Sequence, residues 1–530
     1  MMELAVQHLP VLPIAITLVG AALCLAIGGA SGQARLGLQR AVAWVALIAL
    51  LAVAALALRR TSAGEQFVYL LGNWKAPYGI ALVVDKLTAI MLLLTAVIGV
   101  IVFAATGSKP NDGKPVAAGT FFTPLFLLQL MGLSGAFHTT DLFNLFVFFE
   151  VLLAASYGML LQHSDRRRTN AATHYVVINL VGSAIFLIAV SLLYGVTGTL
   201  NMADLSQRIS VIPAYSQALV AAAGFLLVVV FAIKAALLPL NFWLTTTYSA
   251  AVLPVAALFA LMTKVGVVAI IRTMTLIFPD GGVINQQMSH VLLVIAPVTL
   301  LVAAAGALSA KDVRSLIGWS VVASAGMLVT AVAMGGTKAL SGALFYLVGS
   351  TLATALLFLN AAAIDEAGPR ITTVGDLPGK AWAWTGALFF LGAVALAGLP
   401  PLAGFIGKAT VLSGSVNHPW QAWLWFAILV GGLLSMLAYA RMGSRLFWKR
   451  DAASFQPAYL VPSIVLAAGL VGLTLFAAPI QRYTDQAAVE LRWPQVMISN
   501  VLGKLPIQKS QKPVQQELKA PGMAQPGAVK

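Results

Sequence analysis

A chain of 530 residues that is 60% hydrophobic and only 9% charged cannot cover itself with water-soluble surface, since soluble domains carry about 25% charged residues. The mean hydropathy of +0.92 and the recurrence of apolar runs of about 20 residues, the length that crosses a bilayer, place it among polytopic membrane proteins. The net charge of +15 does not point to nucleic acid, because most Lys and Arg residues lie in short loops between apolar runs, where insertion topology accounts for them.

The segment before the first run holds Glu3 and His8 but no Lys or Arg, so it lacks the basic region of a secretory signal. A single cysteine, Cys24, inside that run leaves no disulfide framework and no thiol metal site. Predicted spans cover residues 10–30, 38–58, 81–105, 119–137 and 141–161, then 175–196, 217–247, 251–273, 290–308 and 316–333. The last are 339–364, 384–413, 421–448 and 459–478. The expected fold is all-α, with about fourteen transmembrane helices and no soluble domain between them. From residue 503 to 530 the composition turns to Lys, Gln and Pro, which predicts a disordered tail.

Basic residues set the orientation. With the N-terminus outside, the cytoplasmic loops include Asp165 to Arg168, Lys311 to Arg314 and Arg445 to Arg450, giving roughly 15 basic loop residues inside against roughly 7 outside. Both termini then face the periplasm of a bacterial inner membrane. The basic tail opposes this count, but long terminal segments weigh little in the rule.

Two spans are long and interrupted by proline: Phe231 to Trp243, broken at Pro239, and Leu396 to Lys408, broken at Pro400 and Pro401. They are the seventh and twelfth spans, fourth in two successive groups of about five. Paired interruptions at matching places indicate an inverted repeat with its site at the breaks; two ordinary proline kinks are the alternative. The resulting division is 1–118 for helices one to three, 119–276 and 277–448 for the two repeats, 449–502 for the last helix and the segment after it, and 503–530 for the tail.

Four ionisable residues lie deep within apolar runs: Glu150, Lys234, Lys264 and Lys408. A charge at mid-bilayer is unfavourable by at least about 2.5–3.5 kcal/mol, so each requires a partner or a wet cavity. A lysine near a span end can snorkel to the interface, which suits Arg272 and Lys449. It does not suit Lys264, about eight residues or roughly 12 Å from its nearer end, nor the short Glu150. A structural ion pair between Glu150 and Lys234 would leave Lys264 and Lys408 without a role. A proton relay uses all four. Desolvation disfavours a buried ammonium and a nearby carboxylate favours it, so proton affinity follows partner distance.

Other polar residues could line a wet path: Tyr346, Ser350 and Thr354 share a face of the eleventh span, although such hydroxyls more often join helices. The six histidines sit near span ends, and His138 with Asp141 is a candidate proton entry. No phosphate loop, zinc spacing or hydrolase triad is present.

Phe143 to Glu150, Lys234 with Leu238 to Leu244, Lys264, and Leu399 to Lys408 together resemble the antiporter-like subunits of respiratory complex I and its relatives, over roughly Gly119 to Trp448. Phe345 to Phe358, Tyr248 and the overall length resemble most the D subunit of Mrp-type multisubunit sodium (cation)/proton antiporters. The resemblance implies fourteen helices with two inverted five-helix repeats. It implies that Glu150 pairs with Lys234, Lys264 carries the proton across the middle, and Lys408 passes it on. It further implies a transporter subunit rather than an enzyme, a hetero-oligomer with other membrane subunits, exchange of protons and monovalent cations, and no organic cofactor. Tyr248 and Ser324 stand where the complex I relatives usually have histidine, Ser350 and Thr354 where they have lysine or histidine, and Thr245 replaces a usual proline. These departures favour the Mrp-type reading over complex I or a membrane-bound hydrogenase. A scaffold whose buried charges merely hold helices is the rival of another class.

Overall fold

Apolar runs with no water to satisfy their backbone fold as helices, and each predicted run falls on one in the computed structural model, which describes residues 7–28, 33–107, 119, 121–162, 165–365, 379–447 and 459–503. The first half contains α1 (Leu12–Ile27), α2 (Gln33–Ser62), α3 (Lys86–Thr106), α4 (Phe122–His138), α5 (Leu142–Leu161), α6 (Arg166–Thr197), the short α7 (Met202–Ser210) and α8 (Ala214–Ala235). Then come α9 (Phe242–Ala250), α10 (Leu253–Phe259), α11 (Met262–Arg272), α12 (Val283–Ser309), α13 (Val313–Ala333) and α14 (Thr337–Asp365). The chain finishes with α15 (Gly379–Ala397), α16 (Ala403–Gly414), α17 (Gln421–Phe447), α18 (Leu460–Leu475), α19 (Ala477–Arg492) and α20 (Gln495–Leu502). The predicted tail beyond Gly503, His163, and Lys449 with Arg450 lie outside the described residues.

By length and composition, ten helices among the described residues can cross a membrane, or eleven if α18 and α19, bent by 79°, count as one span. Leu12–Ile27, Phe122–His138 and Trp384–Ala397 are shorter apolar helices. The protein is a multi-pass membrane protein. Its outer helices expose large aliphatic side chains such as Val45, Ile48 and Leu429. The segments 253–277, 313–333 and 337–364 are almost wholly enclosed.

Three local expectations are corrected. Residues 81–84 begin no helix: Ala81–Val84 (β2) pairs antiparallel with Phe67–Leu70 (β1), and α3 starts only after Asp85, whose carboxylate accepts the Thr88 amide at 2.9 Å. The sixth helix starts at Arg166 rather than 175, because Asp165 caps it through the Arg168 amide at 2.8 Å. That amide, with the neighbouring guanidinium groups, holds the exposed Asp165 carboxyl below the usual carboxylate range. The last predicted span does not run straight to residue 478; it ends at Leu475 and turns into the amphipathic α19.

The hairpin marks one end of the bundle. Thr140 donates its amide to Ala81 O at 3.1 Å, and Thr140 O accepts from Met202. The opposite end carries Arg167, Arg168 and Arg314, whose guanidinium groups reach the carbonyls of Ser249, Ala250 and Ala251 where α9 stops, at 3.3–3.5 Å. Cations at a helix C-terminus complement its dipole.

Candidate functional site

Both proline interruptions exist as breaks in helical backbone. Between α8 and α9 the chain leaves the helix at Ala236, in left-handed conformation, and resumes at Phe242. The freed Leu238 amide donates to Thr299 Oγ1 of α12 at 3.1 Å. Between α15 and α16 it leaves at Gly398, φ +78°, and the Ala403 amide donates to Thr474 Oγ1 of α18 at 3.0 Å. Each break is therefore closed by a threonine from a neighbouring helix, as apolar surroundings demand.

Lys234 sits in the last turn of α8, just before the first break, and is 5% exposed. Its ammonium donates to Asn179 Oδ1 of α6 at 3.2 Å and lies 5.6 Å from the centre of the Phe149 ring. The expected direct pairing with Glu150 is not formed: no oxygen of Glu150 lies within 4 Å of that ammonium. Glu150, half-buried on α5, instead accepts a hydrogen bond from Ser183 Oγ. Asn179 and Ser183 are one turn apart on one face of α6, so an amide and a hydroxyl stand between carboxylate and amine. On its other side the last turn of α8 packs against Gly266 of α11, where a Cβ would lie 2.6 Å from the Ala235 nitrogen.

Lys264 of α11 is 1% exposed and donates to Ser324 Oγ of α13 at 2.7 Å. One turn away Ser320 accepts from the Tyr439 hydroxyl of α17 at 2.8 Å. Lys408 of α16 donates to the carbonyls of Ala397 at 2.7 Å and Leu396 at 3.2 Å, the last of α15 before the second break, and lies 5.8 Å from the Tyr346 ring centre. Unwound carbonyls at a half-helix C-terminus are natural cation acceptors.

The remaining candidates are less open. Tyr248 donates to Phe259 O at 2.6 Å and is fully buried. Thr354 Oγ1 donates to Ser350 O at 2.7 Å and Ser350 Oγ to Leu347 O at 3.3 Å, so both hydroxyls are held by their own helix. His138 and Asp141 are not brought together as a pair. His138 Nδ1 donates to Ser134 O at 2.6 Å, its Nε2 meets no partner among the described residues, and Asp141 caps α5 through the Asn144 amide at 2.8 Å.

Close to His138 lies a group that sequence reasoning missed. Arg272, expected to snorkel, is buried and donates twice to Asp85, at 2.7 and 2.8 Å, and once to Thr88 Oγ1 at 3.2 Å. Along α19, Glu490 pairs with Lys86, while Arg492 pairs with Asp280 at 2.7 Å and reaches Val332 O at 3.1 Å. Asn179 and Ser183 carried a weak signal, two polar residues at i and i+4 in an apolar run; Ser320 with Tyr439, and Asp85 with Arg272, are distant in sequence and gave none. Among the described residues, no three His, Cys, Asp or Glu side chains gather as a metal site would require.

Buried amines, two of them flanking breaks in helices, within a multi-pass bundle, define a membrane protein built to hold charge in its interior. The family described as NADH:quinone oxidoreductase/Mrp antiporter, TM matches residues 139–436, and the chain belongs to it. A Rhizobium meliloti (strain 1021) protein, named as the D subunit of a probable K(+)/H(+) antiporter, is 37% identical over 94% of this chain and 98% of its own. The Na(+)/H(+) antiporter D subunit of Alkalihalophilus pseudofirmus is 34% identical over 88% of this chain and 94% of its own. Among solved structures, a chain of the Mrp complex from Dietzia sp. DQ12-45-1b superposes with a TM-score of 0.84 at 28% identity, covering 94% of this chain and 99% of that one.

Proposed function

We propose that this chain is the proton-translocating subunit of a multisubunit monovalent cation/proton antiporter in a bacterial inner membrane. The hairpin end and both termini face the periplasm and the arginine end faces the cytoplasm. The names of its relatives and its likeness to a chain of an Mrp complex support the class. It works as a transporter subunit beside other membrane subunits, not as an enzyme.

The observation that carries the reading is the chemistry around Lys234, Lys264 and Lys408, three of four buried lysines among the described residues; the fourth, Lys86, is paired with Glu490 at the hairpin end. Lys234 is held by an amide, Lys264 by a hydroxyl and Lys408 by two carbonyls, none of them a carboxylate. A buried ammonium locked in an ion pair keeps its proton, because removing one partner's charge strands the other. Neutral acceptors impose no such lock. In this reading Glu150 and Lys234 exchange a proton across the face of α6 on which Ser183 holds the carboxylate and Asn179 the amine, Lys264 carries it across the enclosed middle against Ser324, and Lys408 hands it to the second break.

Inverted vesicles from a host lacking its own antiporters, expressing this chain with its neighbouring subunits, test the class. Addition of Na+ or K+ should discharge a respiration-driven pH gradient. An assembled complex that answers to neither cation but purifies with redox subunits would overturn it in favour of an electron-transfer-driven pump.

A further inference from the structure

A cleft of about 520 Å3 opens between α2, α3, α14, α18 and the start of α19. Leu58, Val97, Leu352 and Leu473 belong to its apolar wall. The polar lining residues are Arg59 and Ser62 in the last turn of α2 and Tyr483 and Thr484 of α19, all toward the hairpin end. From Ile90 to Val97 along α3 the wall descends roughly 10 Å without a charge.

We propose that this cleft binds one acyl chain of an anionic phospholipid, with the phosphate on Arg59. Polarity is the first ground: a charged rim over an apolar shaft, aligned with the helices, matches an amphiphile standing in a leaflet. Charge is the second. Arg60 is taken by Glu65 at 3.2 Å and Lys86 by Glu490, whereas Arg59 is exposed with no carboxylate within 4 Å among the described residues. A free guanidinium fork is suited to phosphate. Size is the third. The volume lies within the roughly 300–1,000 Å3 of single-ligand pockets.

The test uses the full chain with its native partner subunits in nanodiscs containing phosphatidylglycerol with a diazirine in one acyl chain, or the matching phosphatidylcholine. Adducts are mapped by peptide mass spectrometry. The expected result is severalfold more labelling by phosphatidylglycerol at peptides spanning Leu93 to Val97 or Leu352. Arg59→Gln should abolish that preference, and Val97→Trp, which fills the shaft, should abolish the adducts. Both lipids carry a phosphate and only phosphatidylglycerol is anionic, so equal labelling would overturn the anionic-lipid site. Labelling unchanged by Val97→Trp would reduce the contact to ordinary annular lipid, and cross-links there to another subunit would assign the cleft to protein.

Discussion

Lys234, Lys264 and Lys408 differ in what holds them, and the difference sets what each substitution should do. The Lys264 ammonium makes one hydrogen bond among the described residues, to Ser324. A bond to a charged group contributes about 1.5–3 kcal/mol, so Ser324→Ala should slow proton movement about tenfold or more if the ammonium form governs the rate. Vesicle rates equal to the parent would show that this hydroxyl is not part of the path. The Asp85–Arg272 pair makes the opposite case, a buried charge pair with 3% and 7% exposure. Removing either partner should destabilise by about 3–5 kcal/mol, while removing both together for apolar or amide replacements should restore most of it. Thermal melting of Asp85→Asn, Arg272→Met and the double variant reads this out directly. Lysines and Glu150 stand out in one dimension because a charge in an apolar run is conspicuous. Asn179, Ser183 and Tyr439 do not, because such polar residues are common in membrane helices and only folding shows which of them face an amine.

At the scale of elements, the breaks are stable because their freed amides are taken by Thr299 and Thr474. The packing beside the first break is tight enough to test. In Gly266→Ala the added methyl would press on the backbone of Ala235 and Lys234, and overpacking of this kind disfavours the fold by about 1–3 kcal/mol. We expect a lowered melting temperature and slower transport together; unchanged values of both would mean α11 moves away freely. The long helices and both interruptions were legible from apolar run length and from Pro239, Pro400 and Pro401. The hairpin was not, since Ala81 to Val84 is as apolar as the helix that follows it. Nor was the turn into α19, where the sequence crosses from apolar to charged with no proline or glycine at the bend between Leu475 and Ala477. That helix runs along the hairpin end, held by Lys86–Glu490, by Arg492–Asp280 and by Ser341 donating to Asp485 at 2.5 Å.

At the scale of the whole molecule, the most enclosed segments are the ones that carry Lys264, Ser324 and Tyr346, while the outer helices expose large aliphatic side chains. Composition and run length alone define such a bundle. They do not place α13 between Lys264 and Tyr439, nor α6 between Glu150 and Lys234, because those positions follow from packing between segments far apart in the chain. In the proposed relay protons pass from Glu150 across the face of α6 to Lys234 and onward. The most direct measurement is cation-driven proton movement in inverted vesicles bearing Glu150→Gln or Lys234→Ala, with assembly of the complex checked in the same membranes. Loss of at least about nine-tenths of the initial rate is expected in each assembled variant; parental rates in both would overturn the relay and leave these charges a structural role.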